Sequence, residues 1–315
     1  MKFRWTLFAL VFLLSACSSR LDSLIETYEQ ELKTAQKSMK SLENALDKGS
    51  LTNAVLLQDY AEQLGKQKPE LAKLAKNLAY NSIVNGPLYQ SLKDRIIAVD
   101  AAPKDNELQM ENNLEEIILV KEAANIRTFN DALTDPINVI ADLSDGKLPR
   151  INSIDKATEK SINKSEAAAG SQLVGNPQYG QWVTGSNGLS FWEWYGIYAL
   201  FSDLDGGRRY KYSSWSYKRP YSYYHDYGRY RYTRPKYRYS QKQLQTRTAK
   251  SFRAQGKKFT SPYSKQRVGA SKLSKASTSR PSSGSFRNAS TFRNSSSSSS
   301  RRSSSRTSRG PRRGK

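Results

Sequence analysis

Few residues of this 315-residue chain have the type and spacing for acid–base or metal chemistry. Glu193 stands between Trp192 and Trp194, where burial among rings would raise a carboxyl pKa toward that of a general acid. Glycoside hydrolysis needs a second, suitably spaced carboxyl, and none lies between Trp182 and Phe201. Glu107, Glu111 and Glu115 recur every four residues, on one face of a helix. Carboxylate metal sites in helical bundles add Glu-x-x-His motifs. The only histidine is His225, far from these acids, so they read as a solvated acidic face. His225 and Asp226 sit in a Tyr/Arg-rich stretch that offers no ordered frame for a nucleophile. Nucleophile-elbow, phosphate-loop, dinucleotide and zinc spacings are absent from the sequence. Neither catalysis, a metal nor a cofactor is expected; a wall-polysaccharide enzyme would have to rest on Glu193.

The stronger chemical signal is charge. The net charge of +23 hides a division: residues 206–315 carry 30 Lys and Arg against one acid, whereas 17–205 sum to −8. Within 209–240, eleven tyrosines and one tryptophan alternate with cations. Arg229, Arg231, Arg234, Lys236 and Arg238, interleaved with Tyr230, Tyr232, Tyr237 and Tyr239, form the candidate polyanion-binding set. Cations neutralise phosphates and release counterions, while rings stack on bases or sugar faces without strong sequence preference. Beyond 241 the chain is mostly Ser, Arg and Lys, with too little apolar surface to offset the entropy of ordering. Residues 206–315 are therefore expected to be a long disordered basic tail. The competing expectation is that they fold back on the acidic body and are neutralised there.

The address lies at the front. Lys2 and Arg4 precede an apolar run of about 14 residues, short of the roughly 20 that a spanning helix needs. Length and flanks fit a cleaved secretory signal over 1–16. Leu14-Ser15-Ala16-Cys17 resembles the lipobox of bacterial lipoproteins, and the resemblance covers about the first twenty residues. It implies cleavage before Cys17 and acylation of that cysteine, the only one in the chain. More than one acyl chain anchors firmly, where a single one does not. Ser18 after the cysteine implies sorting to the outer membrane, facing the periplasm. The helical pattern and Trp-rich motif together are similar to uncharacterised bacterial lipoproteins, a likeness that brings no function with it.

The elements that must carry these groups are mainly helical. Leu21, Ile25, Tyr28, Leu32, Ala35, Met39, Leu42 and Leu46 make an apolar stripe at steps of four and three. Ser23 and Glu26 have capping-box spacing near its start, and Gly49 can end it. The stripe suits packing on the helices that follow, or a homodimeric coiled coil. Leu51–Leu64 is the next helix, and Pro69 and Pro87 open two more. Asp105 is placed to cap a long helix running to Leu133, and Asp135-Pro136 to start a short one ending at Asp145-Gly146. Short connections predict antiparallel neighbours, hence a helical bundle or hairpin array over 17–150. A linker with one weak helix follows over 151–176. Ser186-Asn187-Gly188 then marks a turn between two strands of a Trp-rich module, 177–205, whose end reads helical. Trp182, Trp192 and Trp194 are candidates for either a binding surface or a closing core.

The function expected from these readings is a noncatalytic, lipid-anchored envelope protein whose basic aromatic tail holds polyanions. Lipopolysaccharide, anionic wall polymers and headgroups are the candidate ligands, with nucleic acid a further one. The alternative makes the helical body a docking or assembly subunit for another envelope protein.

Overall fold

Heptad-like apolar spacing in the first fifty residues gives one long helix, against which the helix Glu107–Ala123 above all is laid. The structure, a computed structural model, describes residues 2–164, 167–264 and 269–279, with side chains from Arg20 onward. Helix α1 runs Lys2–Asp47. The signal segment and Cys17 thus have only their backbone described, and the acylation expected at Cys17 concerns a side chain outside the described residues. Ser23 is interior to α1 rather than at its start, so the expected capping box does not form there. The helix stops at Gly49, which adopts φ +61°. Leu24, Tyr28, Ala35, Met39, Leu42 and Ala45 are buried, with Leu21, Ile25, Leu32 and Leu46 packed at the edges. The stripe is used within the chain.

The body continues with α2 (Thr52–Gln67), α3 (Ala72–Ala79), α4 (Pro87–Asp100), α5 (Glu107–Ala123), α6 (Ile126–Ala132), α7 (Thr134–Leu143) and α8 (Lys156–Asn163). Pro87 occupies the first turn of α4, where its missing N–H costs nothing. The long helix expected from Asp105 to Leu133 is two helices. Asn106, not Asp105, caps α5 by accepting the Gln109 N–H at 3.0 Å. Asn125 interrupts the pattern and caps α6, accepting the N–H of Arg127 at 3.0 Å. Asp135 is not a cap either; its carboxylate is committed elsewhere. Among the described residues, no helix is long and apolar enough to cross a membrane.

Strands β1 (Gly180–Thr184) and β2 (Ser190–Trp194) pair antiparallel, with Trp182 opposite Trp192. Gly188 turns the hairpin at φ +73°, as the Ser-Asn-Gly signal requires. A short helix, α9 (Leu200–Leu204), follows. Phe201 is buried in the main core with Leu173 and Tyr179, and Trp194 packs against it. The class is mainly α with one small hairpin, as expected.

The Tyr/Arg stretch is where expectation and structure part. Residues 206–264 and 269–279 form α10 (Tyr212–Lys218), a π-helical turn (Tyr224–Gly228), α11 (Arg229–Tyr232), the twenty-residue α12 (Pro235–Ala254) and α13 (Lys275–Thr278). Tyr212, Trp215, Tyr221, Tyr223 and Tyr224 are buried. The expected disordered tail is thus corrected over these residues; its remainder, 280–315, lies outside the described residues. The physical reason is twofold. The buried tyrosines supply large apolar rings to the core, and the acidic body supplies carboxylates for the arginines between them.

Candidate polyanion groove

Three acidic residues of the body organise the basic segment. Asp135 accepts the backbone N–H groups of Tyr223 at 2.7 Å and Tyr224 at 2.9 Å. It thereby caps the turn that follows, in the manner of a helix N-terminus. Burial pushes its carboxyl up to about 7, opposed by those two hydrogen bonds. Glu159 accepts the Tyr221 N–H at 3.0 Å and a 2.7 Å bond from Arg150. Asp131 accepts the Ser274 N–H at 3.2 Å and the Ser277 hydroxyl at 2.6 Å, docking α13 on α6.

The arginines expected to grasp polyanions divide accordingly. Arg231 is 1% exposed. Its Nε donates to Glu122 at 3.1 Å and its Nη atoms to the carbonyls of Tyr227, Ser277, Ala276 and Ser279. No polymer can reach it. Arg234 bridges to Asp94 at 2.5 Å and Arg238 to Glu116 at 2.5 Å. Glu116 also takes the Nε of Arg95 at 2.6 Å, so two guanidiniums share one buried carboxylate. Burial lowers the Arg95 pKa, with Glu116 opposing. The Arg229 Cζ lies 3.6 Å from the centroid of the Tyr263 ring and 4.6 Å from that of Tyr230. Lys236 is exposed, as are the rings of Tyr230, Tyr237 and Tyr239. The Tyr232 ring is half-buried against the main core, and its hydroxyl donates to the Ala123 carbonyl at 2.8 Å.

What this assembly leaves open is a groove of about 770 Å³ between α5, the π turn and α12. Asn112 and Glu115 form one wall; Tyr227, Arg229 and Tyr230 the floor; Arg238, Tyr239, Lys242, Gln245 and Thr246 the other wall; Ser261 and Tyr263 close one end. Four of the nine residues expected to bind polyanions (Arg229, Tyr230, Arg238 and Tyr239) therefore meet in one place. The reading missed Lys242 and the rest of the α12 face. Lys236, Lys242, Arg247, Lys250 and Arg253 lie on this helix, which has no acid. Among the described residues, these five join no ion pair; the nearest polar contact is Arg247 to the Thr184 hydroxyl at 3.5 Å. The helix was legible in principle: Pro235 at its first turn and Tyr237, Gln241, Leu244, Thr248 and Phe252 at four- and three-residue steps mark a seam. Gln241 and Leu244 are its buried members.

The tryptophans belong to a second core. Trp192 and Trp215 are buried with Val174, Tyr212 and Leu244, and Trp182 packs on them at ring distances near 5 Å. Sequence reading left open whether Trp182, Trp192 and Trp194 bind or close a core. The structure assigns them to packing, mostly against the basic segment. Glu193 points outward, accepting a 3.0 Å bond from Gln181, and is not enclosed by rings. Arg20 pairs with Glu107 and Glu111 at 3.1 and 2.8 Å. His225 is not in a loose tail; it is buried, its Nε2 2.8 Å from the Val174 carbonyl oxygen. Among the described residues, no cluster of His, Cys, Asp and Glu is placed to hold a metal ion.

No protein-family model matches the chain, and comparisons with curated proteins and with solved structures return no match.

Proposed function

We propose that this chain is a noncatalytic envelope lipoprotein, anchored through acyl chains on Cys17, that holds phosphate-bearing polyanions in the α5–α12 groove and on the outer face of α12. The observation that carries the reading is the run of α12 cations that join no ion pair among the described residues. The neighbouring arginines are neutralised by body acids, whereas Lys236, Lys242, Arg247, Lys250 and Arg253 are left for an external partner. Exposed rings at Tyr230, Tyr237 and Tyr239 suit stacking on sugars or bases beside those charges. The surface therefore replaces the loose arm expected from composition with a shaped one. Outside the cytoplasm the anions at hand are lipopolysaccharide phosphates, wall polymers and released DNA; the lipobox and Ser18 favour the outer membrane, facing the periplasm.

The test is retention of lipopolysaccharide, wall fragments and DNA by the full chain, at low and moderate salt, against a Lys242→Glu/Lys250→Glu/Arg253→Glu variant. The variant is expected to lose retention at both salts. Equal retention would remove the α12 face from the function and return it to the helical body as a docking subunit.

A further inference from the structure

Taken with the acyl anchor proposed above, the register of two helices fixes where the groove lies. Arg20 on α1 reaches Glu107 and Glu111 on α5. Eleven residues later on α1, Glu31 pairs with Lys121 of α5. The two helices therefore run parallel and nearly level. The helical backbone of α1 runs through Cys17 to Arg20, which places the anchor on the same helix as the folded body. At 1.5 Å per residue, Cys17 lies about 4.5 Å beyond Arg20 along the axis, and Glu115 about 9 Å on the other side. Along the axis, the groove wall at Glu115 is thus offset by only about 14 Å from the anchoring residue.

We infer that the groove and the adjoining start of the α12 face bind the phosphate headgroups of the leaflet that holds Cys17, so that the protein lies against its own membrane. Charge complementarity supports it. Lys242 joins no ion pair among the described residues, and Arg229, close to the Tyr263 and Tyr230 rings, lines the groove. Surface cations within reach of an anionic leaflet are attracted to it, and the attraction decays over a Debye length. The tyrosines suit the headgroup layer, where a ring meets both wet and apolar neighbours. Two acids line the groove: Asp226 is paired with Arg219, whereas Glu115, half-buried and without an ion pair among the described residues, opposes a phosphate.

The acylated full chain, reconstituted in vesicles, tests this through the reactivity of individual lysines toward a membrane-impermeant amine reagent. Lys48 is the internal control, exposed just past the far end of α1, about 46 Å from Cys17 at the helical rise. In phosphatidylcholine vesicles containing phosphatidylglycerol, Lys242 is expected to label at least fivefold more slowly than in phosphatidylcholine alone, with Lys48 unchanged. Glu115→Gln is expected to deepen the protection, and 0.5 M salt to abolish it. Equal labelling of Lys242 in the two vesicle types overturns the inference, as does a mass showing no lipid on Cys17. The polyanion reading is checked separately with polyphosphate and detergent-held protein. Protection there without protection on vesicles sinks only the membrane placement, whereas protection in neither sinks both.

Discussion

The Asp135 carboxylate accepts the backbone N–H of Tyr223 at 2.7 Å, across 88 residues of sequence. That contact joins the acidic body to the basic segment at a point buried from solvent, and the same carboxylate holds the next N–H, that of Tyr224. Because the acceptor is a buried acid, the joint titrates. Burial raises the Asp135 pKa to about 7, with Asp226 raising and Arg219 lowering it further. A group whose folded pKa exceeds its unfolded value stabilises most below the unfolded pKa and loses that contribution as pH rises through the folded one. Stability attributable to Asp135 is therefore full below pH 4 and lost between about pH 4 and 7. Asp135→Asn should flatten this part of the profile. The difference between the two proteins' urea midpoints at pH 5 and pH 8 measures it, with a change on the order of 2–4 kcal/mol from roughly three pKa units.

Arg231→Met should cost about 3–5 kcal/mol, because it leaves Glu122 and four carbonyl contacts without their shared donor inside the protein. Arg231→Lys should not rescue it, since one ammonium cannot serve a fork of acceptors in several directions. Limited proteolysis gives the second readout: cleavage near α13 should rise well before global unfolding.

Truncation after Asp205 should not yield a soluble tailless body. It removes Tyr212, Trp215 and Leu244 from the second core and uncovers Trp192, an apolar patch of the kind that drives association. Size-exclusion chromatography should show aggregates and near-ultraviolet circular dichroism should lose its tryptophan signal. A monomer with unchanged spectrum would mean that the basic segment does not cover these rings.

Charge reversal on α12 at Lys242, Lys250 and Arg253 should leave the melting temperature within a degree or two, because none of these side chains is buried or joins an ion pair among the described residues. The same variant should flatten the salt dependence of polyanion binding. Each lost phosphate contact lowers the slope of log affinity against log salt by about 0.7–0.9.

Gly170→Ala should destabilise by about 2–4 kcal/mol, combining left-handed backbone strain with overpacking. Gly170 has φ +82°, and a Cβ there would come 2.3 Å from a ring carbon of Phe201. Gly146→Ala is the matched control: its φ is +85° but nothing stands within 4 Å of the added carbon. It should cost only about 1–2 kcal/mol, the strain alone. Thermal melts of the two variants separate strain from packing.

The sequence by itself determined the elements that depend on neighbours a few residues away. The stripe from Leu21 to Leu46, the Pro87 start and the Ser-Asn-Gly turn each reappear, because helix faces, caps and tight turns are fixed by local spacing and local φ. It also contained every cation and ring of the groove. Tertiary structure alone decided which of them are spent on folding. Arg231 and Arg229 lie two residues apart and share Tyr230 as a neighbour, yet one is enclosed by Glu122 and the other lines an open groove. That difference comes from carboxylates at Asp94, Glu116, Glu122, Asp131 and Asp135, a hundred or so residues upstream. Composition averages over such partners, whereas desolvation and Coulomb attraction act only between groups that the folded chain has brought within a few ångströms.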